Sequence, residues 1–528
     1  MRYCQSKKSV QSQSNHLFQT THTAHSFDGR LLNTMRGEYR IMSEKPNLLF
    51  IFTDQQRADT MSCYGNDLIE TPNLNNLADS SFVFENAYVS TPICTPSRST
   101  IMTGTWPHTN GTKKNNIPLP EDVKTLAEML PSDYKKAYHG KWHLGDEVIC
   151  QHGFDEWVSI EDLYRVFYSK PEYLEVMSDY HNFLIEKGFS PFKKSEGAKV
   201  FPRDMAASLP EEYTKANFLG DSASKFIHDN KDRPWALYVN IFEPHSPYNS
   251  SFNNLYDRDS IPVPPTFMKD PPSNAGSLAI ARKEETVEKL SGFGPNPDTE
   301  DGLTEDFWRE TIAGYWGNVT LVDRAVGKIL KALEDSGVAD NTIVVYSSEH
   351  GDQLGEHNII QKAVFYQQSI RVPMLIRVPW ISKDHKMIPG HYGHIDTVPT
   401  LLDLMGVELP DHLQGVSRVP VLEGSEDLSK NDVVIDWTGR DEVTPGHPYL
   451  VETDETPIWE VEHRTLISHD NWKLTLGSDP IELYDLENDP YEQTNLSNDP
   501  SESSRIEGMY SRLRKWQEET DDSLQISN

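Results

Sequence analysis

Four cysteines among 528 residues, Cys4, Cys63, Cys94 and Cys150, are too few and too scattered for a disulfide framework. None forms a C-x-x-C pair, which argues against a structural zinc site. No apolar run reaches the roughly 18 residues of a membrane helix. Residues 1–41 lack the apolar core of about 7–15 residues that marks a secretion signal. Positive charge is also scarce: 49 Lys and Arg against 81 Asp and Glu give a formal charge of −32. That field repels nucleic acid and anionic membranes, so neither is an expected partner. A small cationic pocket stays compatible with it, because charges beyond about 8–10 Å are screened at ordinary salt. No internal repeat is visible. These absences favour a soluble protein, cytoplasmic in preference, with a periplasmic or secreted location left open. Oligomeric state is not written in them.

What is present suits a folded α/β protein. Hydrophobic residues make up 37% and aromatic residues 10% of the chain, and the length accommodates one large domain plus a smaller one. Residues 1–41 are Ser/Thr/Gln-rich and poor in acids, which reads as a disordered extension or as the product of an upstream start, with Met42 the true beginning. Then NLLFIF (47–52) runs into Thr53-Asp54-Gln55-Gln56, a buried parallel strand with polar residues at its carboxyl end. The pattern returns at WALYVNIF (235–242) before Glu243-Pro244-His245, and at NTIVVYS (341–347) before Ser348-Glu349-His350-Gly351-Asp352. Three apolar strands thus deliver acids and histidines to one edge, the side on which open α/β sheets bind ligands. Helical periodicity over about 121–130 and 305–333 alternates with them. Segments 160–215 and 250–303 read as insertions around a site. After about 425 the chain turns more polar, with strands at 464–468 and 472–476 and a closing helix at 502–519.

The stretch PICTPSRSTIMTG (92–104) places Cys94 between two prolines. Pro96 restricts Thr95 to extended geometry, so Cys94 is expected on a stiffened turn ahead of a helix that begins near Ser97 and stops at Gly104. A helix N-terminus favours an anion, and Arg98 adds a fixed cation. By itself such a cysteine is more often a small buried hydrophobe than a nucleophile.

The run from Cys94 through Pro96 and Arg98 to Gly104 resembles the first signature of the formylglycine-dependent sulfatases, the arylsulfatase-type branch of the alkaline-phosphatase-like superfamily. Tyr138-His139-Gly140-Lys141-Trp142-His143-Leu144-Gly145 is similar to the second. Thr53 to Gln56, Glu243 to Pro247, Ser347 to Gly355, Gln361 to Tyr366 and, near the end, Glu482 to Pro490 extend the resemblance over about 42–497. It implies an alkaline-phosphatase-like catalytic domain over 42–425, with a mostly parallel central sheet between helices, and a small C-terminal α+β domain over 426–528. It also implies a sulfuric ester hydrolase in which a maturation enzyme oxidises Cys94 to formylglycine (3-oxoalanine). One divalent metal, Ca²⁺ before Mg²⁺ or Mn²⁺, would be held by Asp54, Gln55, residue 94, Glu349 and His350. One oxygen of the aldehyde hydrate would attack sulfur, and the other would expel sulfate by reforming the aldehyde. Arg98 would steady the first oxygen, and His143 would be the base for the expulsion. Lys141 and His245 would contact the sulfate and the leaving oxygen, and Lys362 a sulfate oxygen.

Two positions depart from the family pattern. Asp54-Gln55 stands where many relatives carry paired aspartates, and resembles the choline-sulfatase and phosphonate-monoester-hydrolase branches. Glu349 stands where aspartate is usual. A sulfated carbohydrate is the expected substrate, a small aryl or alkyl sulfate the next. A phosphonate or phosphate ester hydrolase, or an inactive glycan-binding protein with Cys94 still a thiol, are the alternatives. Aromatics in 160–190, Trp106, His108, Lys113, Lys114, Trp380, His412 and Arg418 are candidate rim residues.

Overall fold

Alternation decides how the central strands are buried. In β1 (Asn47–Asp54), Leu49 and Ile51 enter one apolar cluster while Leu48, Phe50 and Phe52 enter another. Successive side chains of a strand point to opposite faces, so a run that is apolar throughout must be covered on both sides. The computed structural model describes residues 2–3, 45–289, 303–440 and 458–524. The expected disordered extension over 1–41 lies outside these, except Arg2–Tyr3, whose backbone pairs antiparallel with Glu156–Trp157.

The other strands of the large sheet are β2 (Phe82–Tyr88), β3 (Lys135–Gly140), β4 (Glu156–Ser159), β5 (Trp235–Pro244), β6 (Thr342–Ser348), β7 (Arg371–Val372), β8 (Met374–Arg377) and β9 (Lys386–Gly393). Across the sheet they run β4-β3-β5-β1-β6-β8-β2-β7, with β9 also against β2. The block β4-β3-β5-β1-β6 is parallel throughout, and β8 is antiparallel to both its neighbours. Thr53 pairs with Ile241 on one side and Ser348 on the other, so the strands carrying Asp54, Glu243 and Glu349 are adjacent and end level. The sequence pattern and the sheet agree on this.

Helices lie on both faces. α1 (Cys94–Thr103) lies with Ile101 and Met102 in the cluster of Phe50 and Phe52. On the other face, α2 (Lys215–Asn230) and α3 (Glu305–Asp335) pack against β5, and Leu219, Phe226, Val322 and Ile329 are buried there. Each such side chain, fully removed from water, contributes about 1.5–3 kcal/mol. The long helix over 305–333 is as expected, capped by the Thr304 hydroxyl, which accepts from Phe307 N. The expected helix over 121–130 shrinks to Leu126–Met129, because a Thr125–Glu128 capping box starts it late and Leu130, the residue before Pro131, is extended.

A separate antiparallel sheet follows, β10 (Val433–Trp437), β11 (His463–Ile467), β12 (Trp472–Leu476) and β13 (Glu482–Asp485), paired in that order. Helix α4 (Ser503–Thr520) buries Met509 and Leu513 against it. Among the described residues no helix is long and apolar enough to cross a membrane.

Candidate active site at the carboxyl edge of the sheet

Helix α1 begins at Cys94 itself, so the expected turn with an extended Thr95 is corrected: both residues lie in its first turn. Pro96 is tolerated because the first helical N–H groups have no partner within the helix to lose. Gly104 ends it in the left-handed region (φ 69°), where a Cβ would stand 2.9 Å from Val398 and Leu413. Every residue of α1 is buried although most are polar. Their hydroxyls close on neighbours: Ser97 Oγ donates to Glu349 O (2.5 Å), Thr95 Oγ1 to His143 O (2.8 Å) and Thr103 Oγ1 to Ser99 O (2.7 Å). The first two of these bonds tie the helix start to the loops after β6 and β3, and the third closes within the helix. Cys94 is a free thiol, 2% exposed.

Around that thiol the strand ends converge. Cys94 Sγ lies 3.3 Å from His350 Nε2, which is 3.2 Å from Glu349 Oε1 and 3.9 Å from Asp54 Oδ1. Ligand-type atoms of Asp54, Cys94, Glu349 and His350 all fall within 4.8 Å of one another, and all four residues are buried. Asp54 Oδ1 and Glu349 Oε1 accept no hydrogen bond. Buried carboxylate oxygens left in this state demand a positive charge, and two carboxylates with an imidazole match the donor set of a divalent cation. The four residues therefore form a candidate metal site. Gln55, in the left-handed region at φ 75°, stands beside them. Its Oε1 accepts from Lys362 Nζ (2.6 Å), and its Nε2 donates to Asp352 Oδ2 (2.6 Å) and Tyr248 OH (2.9 Å).

Three buried cations face the same space. Arg98 pairs with Glu349 through Nε, approaches Asp54 Oδ2 at 3.2 Å, and donates to Lys141 O (2.7 Å) and Asn240 Oδ1 (2.9 Å). Lys141 Nζ lies 2.6 Å from Asp54 Oδ2. Gly140, the residue before it, sits so close to β5 that a Cβ would meet Asn240 O at 2.1 Å. Lys362 Nζ lies 3.0 Å from His245 Nε2. Burial opposes the Asp54 carboxylate, but Lys141 first, with Arg98, overcomes it and holds its proton affinity well below the ordinary range. Burial, reinforced by Lys141 and Arg98, pushes His143 well below 6.5; burial and Lys362 do the same to His245. Both imidazoles are therefore neutral at neutral pH.

Each of the sequence-predicted site residues is brought into this one edge, whereas most of the rim candidates whose surroundings the structure gives lie elsewhere. Trp106 and His108 follow the far end of α1, packed on Trp516, and Trp106, His412 and Arg418 line a separate cavity of about 490 Å³ there. Trp380 packs against the apolar cluster on the α1 face, and Lys114 pairs with Glu460. Of the 160–190 aromatics, Tyr164 does reach the site, stacked on His143 at 4.0 Å. Other participants carried no sequence signal. Glu147 accepts from Trp142 N (2.9 Å) and His143 N (2.6 Å), fixing His143 in the left-handed region, and Asn116 Oδ1 lies 3.0 Å from His143 Nε2. Asp352 lies within a quoted motif, yet only the folded loop reveals that it orients Gln55.

Comparison with known proteins addresses the same residues. The family model described as "Sulfatase" matches 46–407, and that described as "N-sulphoglucosamine sulphohydrolase, C-terminal" matches 355–519. An ulvan-active sulfatase of Formosa agariphila is 28% identical over 74% of this chain and 68% of its own. An N-acetylglucosamine-6-O-sulfatase of Bacteroides thetaiotaomicron is 27% identical over 72% of this chain and 71% of its own. A solved structure in complex with its substrate D-glucosamine-2-N,6-O-disulfate superposes with a TM-score of 0.71 at 23% identity, covering 91% of this chain and 99% of that one. Both the converging edge and the signatures that built it fall inside the first matched stretch, and the chain belongs to the sulfatase family of sulfuric ester hydrolases.

Proposed function

We propose that this sulfatase releases inorganic sulfate from a sulfated carbohydrate, using a formylglycine made from Cys94 by a maturation enzyme and one divalent cation, calcium in preference to magnesium or manganese. The observation that carries the reading is the gathering of Arg98, Lys141 and Lys362, all buried, around the thiol and its acids in a chain of net charge −32. Fixed cations aimed at one dry space are what a transferring sulfuryl group requires. The sugar is suggested by relatives named for glycan substrates.

Asp54, Glu349 and His350 would hold the cation with Gln55 and residue 94, and when bound it supplies positive charge to the oxygens of the ester. A formylglycine hydrate supplies two hydroxyls on one carbon, one to attack sulfur and one to expel sulfate as the aldehyde reforms. The residues around it divide the remaining work. Arg98, locked between Glu349, Asp54 and Asn240, orients the attacking oxygen. Lys141 and Lys362 bind sulfate oxygens. Neutral His143, held by Glu147 through its backbone and by Asn116 and Tyr164 through its ring, accepts the proton of the second hydroxyl. Lys362, 3.0 Å from His245 Nε2, can hand that imidazole the proton the leaving alcohol takes up.

Co-expression with a formylglycine-generating enzyme tests this. The Cys94 peptide should show the mass loss of thiol-to-aldehyde conversion, and sulfate should be released from members of a sulfated-sugar panel. Cys94→Ala should lower that release by more than about 10³-fold. An unconverted thiol together with no sulfate release would overturn the reading, and faster turnover of an aryl phosphonate monoester than of an aryl sulfate would move it to phosphonate hydrolysis.

A further inference from the structure

The wall beside His143 is built by the insertion over 160–215, and it carries a cation that no motif names. Tyr164, stacked on His143, accepts through its hydroxyl from Arg203 Nη2 (3.1 Å). The Arg203 guanidinium lies over the Phe242 ring at 4.8 Å, and that ring is 4.9 Å from His245. Arg203 therefore spans the gap between the two histidines assigned to proton transfer, and its charge acts on both.

Its pairing is incomplete. Arg203 donates to Glu161 through Nε (3.3 Å) and Nη2 (2.9 Å), but Glu161, buried, also pairs with Lys215. One carboxylate thus serves two cations. Two further acids line this wall, Glu243 and Asp162, but neither pairs with Arg203, and Asp162 accepts from Ser178 Oγ (2.6 Å) and lies beside Arg165 and His181. Among the described residues Arg203 Nη1 has no partner, and the side chain is 22% exposed. Tyr164 OH accepts from Arg203, which leaves its own hydrogen to donate. The rim therefore presents two free donors next to the site, one of them on a cation that shares its single paired acid with Lys215.

We propose that Arg203 and Tyr164 form a subsite for a second anionic group, a sulfate or a carboxylate, on the sugar that bears the scissile sulfate. The proposal rests on the carbohydrate-sulfatase reading and narrows its substrate class to polyanionic glycans. Glu161 stays bonded to Lys215 when Arg203 is replaced, so the wall keeps a counter-ion for its buried acid.

Calorimetry on Cys94→Ala protein, which leaves the sugars intact, tests this by a ratio of affinities. The probes are N-acetylglucosamine 6-sulfate, D-glucosamine-2-N,6-O-disulfate, and a glucuronate disaccharide of N-acetylglucosamine 6-sulfate. A charge-assisted hydrogen bond predicts that at least one dianionic probe binds about 10–100-fold more tightly than the monoanionic one. Which dianion gains identifies the anion as sulfate or carboxylate. Adding Arg203→Gln should bring the ratio to about one, and Arg203→Lys, a point charge without the planar fork, should give an intermediate ratio. A ratio near one in the Arg203 protein, or the same raised ratio in both variants, overturns the subsite. If Arg203→Gln fails to fold, the Arg203→Lys ratio decides. The underlying reading fails separately, by absence of sulfate release from these sugars by the matured enzyme.

Discussion

Two of the places where charge is buried among the described residues are organised differently. In the C-terminal sheet, Arg464 on β11 donates to both oxygens of Asp522 (2.7 and 2.8 Å) and to two backbone carbonyls, with Asp436 at 3.3 Å. Lys473 on β12 closes on Glu492 and on Phe365 O. There each acid faces its cation. At the carboxyl edge of the large sheet two acids, an imidazole and a thiol converge within 4.8 Å of one another, and the cations Arg98 and Lys141 pair with those acids from around the cluster. Burial of charge alone therefore does not distinguish a site from a structural pair. Convergence of several metal-ligating groups on one point does, because a structural pair needs only one acid and one cation.

Three experiments would break or sharpen this contrast. Removing one partner of a buried pair leaves an uncompensated charge and costs about 3–5 kcal/mol. Arg464→Met should lose that much in urea unfolding, with the sulfate-release rate per folded molecule unchanged. Lost activity at full stability would erase the contrast. At the other region, Glu349→Gln should weaken calcium binding by about 10–100-fold, read as loss of the rise in Tm that millimolar calcium gives the parent protein. An unchanged calcium response would remove Glu349 from the ligand set. The smallest effect concerns pH. Burial, with Lys141 and Arg98, holds the proton affinity of His143 well below 6.5, so the proposed base stays neutral as the pH falls through that value. The acid limb of kcat/KM for the matured enzyme should accordingly lie below 6.5, and a limb at or above it would show His143 to be exposed or not the base.

The sequence exposes those groups whose position follows from strand periodicity. Asp54, His245, Glu349 and His350 each follow an apolar run, and parallel strands of similar length bring their ends level. Cys94, Arg98, Lys141, His143 and Lys362 were readable through the resemblance of their surroundings. Glu147, Arg203 and Asn116 were not, because they lie in loops, a short helix and an insertion, where no period fixes which side chain turns inward, and Tyr164 was legible only as one of several aromatics in 160–190. Trp106 misled for the opposite reason. A residue close to Cys94 in sequence is carried away by about 1.5 Å for each step along α1, and ten steps reach the other side of the sheet's rim. The start of α1 was also misplaced, since the rule that a proline keeps its predecessor extended yields at a first turn packed on every side.

The contact between Cys94 and His350 joins positions 256 residues apart. Until the strand that precedes His350 has been made, nothing can close over the thiol from that side. At about 5–20 residues per second, synthesis of that interval takes on the order of 13–51 seconds. If Cys94 is matured as proposed, the enzyme works against a clock that this chain's own topology sets. Anything that hastens translation of 95–350, or seats β6 beside β1 sooner, shortens the interval and leaves more molecules folded around a thiol that can no longer be reached.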